Sequence, residues 1–266
     1  MKLGLRFFPC LFISVILGCG GTMSNPSGNT PAVNGSYSFI ALSKNAGTNI
    51  FTLGGPIQTD TSGHVTANFG VTSVGSTNTC FPAGSAGSFT GTLSPQGQLS
   101  LTSVAINGQT ISMSNTVSTD GNNFFTGRGS YTITGGCLGG DSGSFFISRL
   151  FTGPFTGSFL STGGLVGVTV TFGPVGLPNP DTSFPLTGTA TFSNTAGCGG
   201  FTTATMTSGA QPGFQAAFTL ATNLAGNTIS FNGGTSDGTG LEFSGGFTIT
   251  GGPCDGSHGQ VTLKRS

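Results

Sequence analysis

GSYTITGGCLGGDSGSFFISR, residues 129 to 149, and GGFTITGGPCDGSHGQVTLKR, residues 245 to 265, align without a gap at a constant offset of 116. Thr132, Ile133, Thr134, Gly135, Gly136, Gly140, Gly143 and Arg149 recur identically in the second stretch. Upstream, Gly108-Gln109-Thr110-Ile111-Ser112 matches Gly226-Asn227-Thr228-Ile229-Ser230. The chain therefore carries two copies of one unit of ~115 residues, each the size of an ordinary domain.

Working outward from the repeat, apolar residues alternate with polar ones at period 2, the mark of half-buried strands. Val65, Ala67, Phe69 and Val71 oppose Thr66, Asn68, Gly70 and Thr72. In the second copy Val166, Val168, Val170 and Phe172 form one such set, Leu186, Gly188, Ala190 and Phe192 another, and Phe214, Ala216, Phe218 and Leu220 a third. Asn107-Gly108, Asp120-Gly121, Ser94-Pro95-Gln96-Gly97 and Asp237-Gly238 fall between them as turn signals. Composition agrees: Gly 49, Phe 24, Trp 0 and 5% charged residues leave no solvated helix face. The expectation is an all-β fold of two tandem antiparallel meanders, about eight strands each, closed as small barrels, with a β-sandwich as the alternative.

At the N-terminus Lys2 and Arg6 precede an apolar run from Phe7 to Leu17 that ends Ile16-Leu17-Gly18-Cys19. This basic and then apolar stretch has the proportions of a signal peptide and is too short to span a membrane as a helix. Its end resembles the lipobox of bacterial lipoproteins, although Leu17 is larger than the small residue usual there. The resemblance implies cleavage before Cys19, a diacylglycerol on its thiol with a further acyl chain, and attachment to the membrane through that lipid. Gly20 is not the Asp that retains such lipoproteins on the inner membrane, so an outer-membrane or surface location is expected. Residues 20 to 34, GGTMSNPSGNTPAVN, lack apolar periodicity and read as a flexible tether. The expected organisation is a signal peptide over 1–18, lipidated Cys19 and tether over 19–34, one β-repeat domain over 35–150 and a second over 154–266. The remainder of the chain is similar to uncharacterised Gly/Ser/Thr-rich tandem-β lipoproteins of bacteria, a likeness that implies no activity.

With Cys10 in the signal and Cys19 as lipid site, Cys80, Cys137, Cys198 and Cys254 remain. Their separations, 137 − 80 = 57 and 254 − 198 = 56, favour a disulfide within each copy, Cys80 with Cys137 and Cys198 with Cys254. Closing loops of that length stabilises each copy by ~4 kcal/mol on the chain-entropy model. In an eight-strand meander both partners fall in connections at one end, so each bridge would staple a barrel mouth.

Removal of Lys2 and Arg6 leaves five basic against seven acidic residues, a net charge of 5 − 7 = −2, which lacks the basic footprint of a nucleic-acid binder. Zinc has no CxxC or HxxxH cluster, and Asp255-Gly256-Ser257 and Asp181-Thr182-Ser183 are too sparse for calcium; no metal and no cofactor is expected. The carboxylates Asp60, Asp120, Asp141, Asp181, Asp237, Glu242 and Asp255 are scattered, mostly beside glycine, where they serve turns. Cys137-Leu138-Gly139-Gly140-Asp141-Ser142-Gly143-Ser144 resembles the nucleophile loop of chymotrypsin-like proteases, and His64, Asp120 and Ser142 follow that family's chain order. Ser62-Gly63-His64-Val65 lacks the family's base pattern, however, and in the repeat Ser142 becomes His258 and Asp141 becomes Ser257. A turn rather than a catalytic serine is expected there. The leading functional reading is a non-enzymatic, lipid-anchored envelope protein with a structural or interaction role and a partner the sequence does not identify. Its rivals are a carrier of a small apolar ligand inside the barrels, a serine hydrolase using Ser142, and one membrane barrel of some sixteen strands, which lacks an aromatic girdle.

Overall fold

Alternation of buried and exposed side chains becomes sheet along nearly the whole of the computed structural model, which describes residues 33–74, 79–117, 127–235 and 239–266. The expected signal segment, Cys19 and the tether up to residue 32 lie outside the described residues, as do Asp120-Gly121 and Asp237-Gly238. The first copy forms β1 (Gly35–Ser43), β2 (Asn49–Thr59), β3 (His64–Ser73), β4 (Ser85–Leu93), β5 (Gln98–Ser103), β6 (Thr110–Thr116), β7 (Gly127–Thr134) and β8 (Ser142–Arg149). The second forms β9 (Gly153–Ser161), β10 (Gly164–Phe172), β11 (Phe184–Pro185), β12 (Gly188–Ser193), β13 (Thr203–Gln211), β14 (Gln215–Thr222), β15 (Thr228–Gly234), β16 (Glu242–Thr250) and β17 (His258–Arg265).

Each strand of the first copy pairs antiparallel with the next, and β1 closes on β8. In the second copy β9 pairs with β10 and β17, and β13 joins β12 to β14, so a second eight-stranded ring closes with β11 as an extra rung on β13. Two separate barrels replace both the sandwich alternative and the fused sixteen-strand ring. Closure pairs every strand of the two rings on both sides and leaves only the two-residue β11 with a single partner, which limits the free edge through which strand-rich chains aggregate.

Inward residues of β3, from Val65 to Val71, are at most 3% exposed, while His64, Thr66 and Asn68 face water. Two details depart from the sequence pattern. Phe214 is 42% exposed and lies outside β14, because Gly213, at φ 64°, turns the chain just before the strand begins. Leu186 is buried but sits in the break between β11 and β12.

Aromatic rings fill both interiors. In the first barrel Phe39, Phe69 and Phe89 follow one another at centroid separations of 5.1 and 4.9 Å. In the second, Phe172, Phe218 and Phe231 do so at 5.2 and 4.8 Å. Loop residues cap the mouths: Phe81 packs on Phe51 at 5.5 Å, Phe201 on Phe192 at 5.0 Å, and Phe151 on Phe155 at 5.3 Å. Between Phe39, Phe51, Met113, Tyr131 and Phe145 only about 160 Å³ is left unfilled. Each ring so buried contributes roughly 1.5–3 kcal/mol relative to exposure.

The meander puts the β1–β2, β3–β4, β5–β6 and β7–β8 connections at one end, with Cys80 and Cys137 among them; this is the cystine end. Their Cα atoms are 5.8 Å apart, and those of Cys198 and Cys254, at the corresponding end of the second barrel, 5.0 Å. Beside each pair a buried amide ties the loops. Gln109 donates to the Cys80 carbonyl and accepts from the Leu138 N–H, both at 3.0 Å. Its repeat counterpart Asn227 accepts from the Thr222 hydroxyl at 2.8 Å and donates to the Gly251 carbonyl at 2.7 Å.

The barrels meet where the first lacks side chains. Gly54 and Gly70 pair across β2 and β3, and the bare wall they make admits the 173–183 connection and Phe184. A β-carbon on Gly54 would lie 2.7 Å from the Phe184 ring, and one on Gly70 would lie 2.8 Å from the Leu177 side chain. Outward-facing Ser38, Thr52 and Thr72 are accordingly no more than 2% exposed. Fully buried Gln211 fixes the linker: its amide oxygen accepts from the Phe151 N–H at 2.9 Å, and its nitrogen donates to the carbonyls of Arg149 and Gly213 at 3.1 and 3.2 Å.

Candidate functional site

The Cys137–Ser144 segment, the most motif-like stretch of the chain, forms the β7–β8 connection at the cystine end. Asp141 is its organising residue. Its carboxylate accepts from the Tyr131 hydroxyl at 2.7 Å, the Ser43 hydroxyl at 2.7 Å and the Asn45 amide at 3.2 Å, and so ties β7, the β1–β2 turn and β8 together. Burial first, and then the Asp141 carboxylate, push the Tyr131 phenol well above its ordinary value, so it remains a donor. With Asp141 held, pairing resumes at the next residue. Ser142 is therefore the first residue of β8 rather than part of a turn, opposite Thr132, its carbonyl accepting from the Lys44 N–H at 2.8 Å. Gly143 is required by close approach: a β-carbon there would run into the Leu42 carbonyl.

His64 opens β3 at the other end of the barrel, separated from the cystine end by the ten residues of that strand, roughly 30 Å of chain. Ser142 and His64 do not come together, and Asp120 lies outside the described residues. His258 is exposed, its Nδ1 2.9 Å from the Gly256 carbonyl.

Other carboxylates mostly organise their own loops. Asp60 accepts from the Ser62 hydroxyl and the N–H groups of Ser62 and His64 at 2.7 to 2.9 Å; the Ser62 hydroxyl first, then the His64 N–H, hold its carboxyl below the ordinary value. Asp181 is lowered in the same way by the hydroxyl and N–H of Ser183. Asp255 accepts from the Gly251 N–H at 2.8 Å, and Glu242 lies 4.0 Å from Lys264. Asp237 lies outside the described residues. Among the described residues no three His, Cys, Asp or Glu side chains converge as a metal site.

Cys80–Cys137 and Cys198–Cys254 form the covalent frame that the spacings suggested, and paired cysteines of this kind belong to an oxidising, extracytoplasmic compartment. Cys19 lies outside the described residues. At the barrel junction, the repeat-related Arg149 and Arg265 approach each other. Burial, and then the Arg149 charge, pull Arg265 down to about 10, still protonated at neutral pH. Gln109 and Gln211 were missed by sequence reasoning as tying residues. Gln109 had a signal, since it sits in the GQTIS/GNTIS repeat; Gln211 reads as an ordinary polar strand residue.

Two open hollows mark the outer wall of the first barrel. One, of about 470 Å³, lies along β1, β7 and β8 beside Lys44, Ser142 and Ser144; the other, of about 390 Å³, lies along β6 and β7 beside Asn115 and Arg128. They share Ser130. Compared with known proteins, the chain matches no family, no curated protein and no solved structure.

Proposed function

We propose that the protein is a lipid-anchored envelope or surface protein with a non-enzymatic structural or interaction role, held to the membrane by acylated Cys19. The observation that carries this reading is the junction Ile16-Leu17-Gly18-Cys19 behind a basic and apolar leader, only fourteen residues before the described chain begins at Val33 (33 − 19 = 14). The oxidised cysteine pairs support it, because the lipoprotein route leads to the same side of the membrane. Barrel interiors occupied by the protein's own rings support a scaffold rather than a container. The distance between Ser142 and His64 along the first barrel likewise weighs against serine chemistry, because a nucleophile needs its base within hydrogen-bond reach. An outer-membrane or surface destination fits Gly20.

Stable anchoring takes a diacylglycerol plus a further chain. The test is metabolic labelling with a fatty-acid probe and detergent phase partition of wild type and Cys19→Ala. Labelling and detergent partition that both disappear in the variant are the expected result. Wild type that is unlabelled and as soluble as the variant refutes the proposal.

A further inference from the structure

From the outer wall of the first barrel we infer that the groove along β7 is a binding site for an extended acidic oligosaccharide, one carrying carboxylates on hydroxylated rings. The inference supplies a ligand class for the interaction role proposed above, yet binding would stand whether or not Cys19 is acylated.

Three features build the groove. The first is a split in the wall. β7 pairs with β8 as far as Gly127–Ile147, but with β6 only as far as Ser114–Ser130, so beyond that point β6 and β7 part. Asn115 stands at the parting on the core face of the wall, opposite Leu99 of β5 and 8% exposed. Beyond it the outward-facing Ser114, Thr116 and Arg128 border the open hollow.

The second feature is charge. Lys44 stands over one hollow and Arg128 over the other, both exposed, and among the described residues neither has a carboxylate within ion-pair distance. Among the described residues no Asp or Glu lines either hollow. The Arg128 guanidinium carbon lies 4.4 Å from the Phe146 ring centroid, a cation–π contact that leaves N–H groups able to grip a carboxylate in bidentate fashion.

The third is the floor between the cations. Ser144, Ser130 and Ser114 stand opposite one another on β8, β7 and β6, and Ser142 and Thr132 form the next row. These hydroxyls both donate and accept, as sugar hydroxyls require. From Arg128 to Thr132, beside the Lys44 end, β7 advances about 13 Å at the usual rise per residue. A simple anion satisfies one cation; a chain of hydroxylated rings with repeated carboxylates satisfies both and covers the serines between them.

The test titrates the purified full chain, by isothermal calorimetry or amide chemical shifts, with tetragalacturonate, a neutral galactose tetrasaccharide and sodium acetate. Expected are binding of tetragalacturonate at least tenfold tighter than of either comparison probe, and at least fivefold weakening by Arg128→Gln and by Lys44→Gln separately. Binding should be lost in the double variant, and Lys264→Gln, on the second barrel, should leave it unchanged. The Arg128 and Lys44 variants should keep the wild-type melting temperature, which separates loss of the site from loss of the fold. No binding, equal binding of the neutral probe or of acetate, or binding indifferent to Lys44 and Arg128 would overturn the inference. None of these outcomes bears on acylation of Cys19, so failure here and failure of the anchoring proposal are distinguishable.

Discussion

The two barrels solve the same problem at the cystine end with different chemistry. In the first, Tyr131 brings a hydroxyl into the wall and Asp141 accepts from it; in the second, at an offset of 116, Phe247 stands for the tyrosine and Ser257 for the aspartate. Phe247 has no hydroxyl to satisfy, and Ser257 is left to receive the Thr162 N–H at 3.1 Å and share a 2.9 Å hydrogen bond with its hydroxyl. The positions changed together because a buried donor and its acceptor are costly to separate. A second contrast concerns the wall. β3 is continuous over ten residues, whereas its counterpart is broken into β11 and β12, and the chain leading into β11, 173–183, lies on the first barrel. The first barrel thus receives the contact and the second makes it.

The largest expected effect tests how alike the staples are. Loop lengths are nearly equal, so Cys80→Ser and Cys198→Ser should each lower stability by ~4 kcal/mol on the chain-entropy model, read by denaturant unfolding. Reduction should separate them, because Cys137 is exposed while Cys198 and Cys254 are 1% and 0% exposed. Thiol trapping over a time course in dithiothreitol should find Cys80 and Cys137 labelled first; simultaneous labelling would erase the contrast.

Next in size is the contact between barrels. Phe184→Ala empties the seat on Gly54 and should cost about 3 kcal/mol, with calorimetry showing one unfolding transition resolving into two as the barrels uncouple. If the variant keeps a single transition at an unchanged temperature, Phe184 does not couple them.

The compensating pair can then be broken on purpose. Asp141→Ser alone strands the Tyr131 hydroxyl and should cost about 2 kcal/mol, while Tyr131→Phe with Asp141→Ser, copying the second barrel, should recover most of the loss. Strict additivity in that cycle would show that the two residues are not coupled.

The smallest effect belongs to Asp60, whose carboxyl the β2–β3 turn holds below its ordinary value. A lowered carboxylate contributes stability above its unfolded-state value and loses it as pH falls through the folded one. Asp60→Asn should therefore differ from wild type slightly at neutral pH and converge with it in acid, as a pH series of melting temperatures would register.

Much of this was legible in the chain. Alternation such as Val65 to Val71 set the strands, the repeat set their number, and the cysteine spacings set which loops meet. What stayed hidden has a common cause. Gly54 carried no signal and Gly70 only that of an outward strand position, because the reason for lacking a side chain lies in Phe184 and Leu177, over a hundred residues away. Gln211 looks like any polar strand residue until the linker it holds is seen. Ser142 looked like a turn because Gly-Asp-Ser-Gly is loop chemistry; only the three hydrogen bonds on Asp141 allow the strand to begin there. The polar groove was equally silent, since Lys44 and Arg128 become neighbours of one surface only when β1, β7 and β8 are laid side by side.

An even number of antiparallel strands has one more effect. Parity returns the chain to the end it came from, so each barrel is entered and left on the side away from its cystine. Modules with an odd strand count pass the chain through from pole to pole and can be threaded into filaments like beads. Here the chain instead leaves each barrel beside its own entry, at Arg149 and Phe151 for the first and at Arg265 for the second. The linker between the barrels and the end of the last strand therefore lie away from the cystines, which sit at the opposite pole of each barrel.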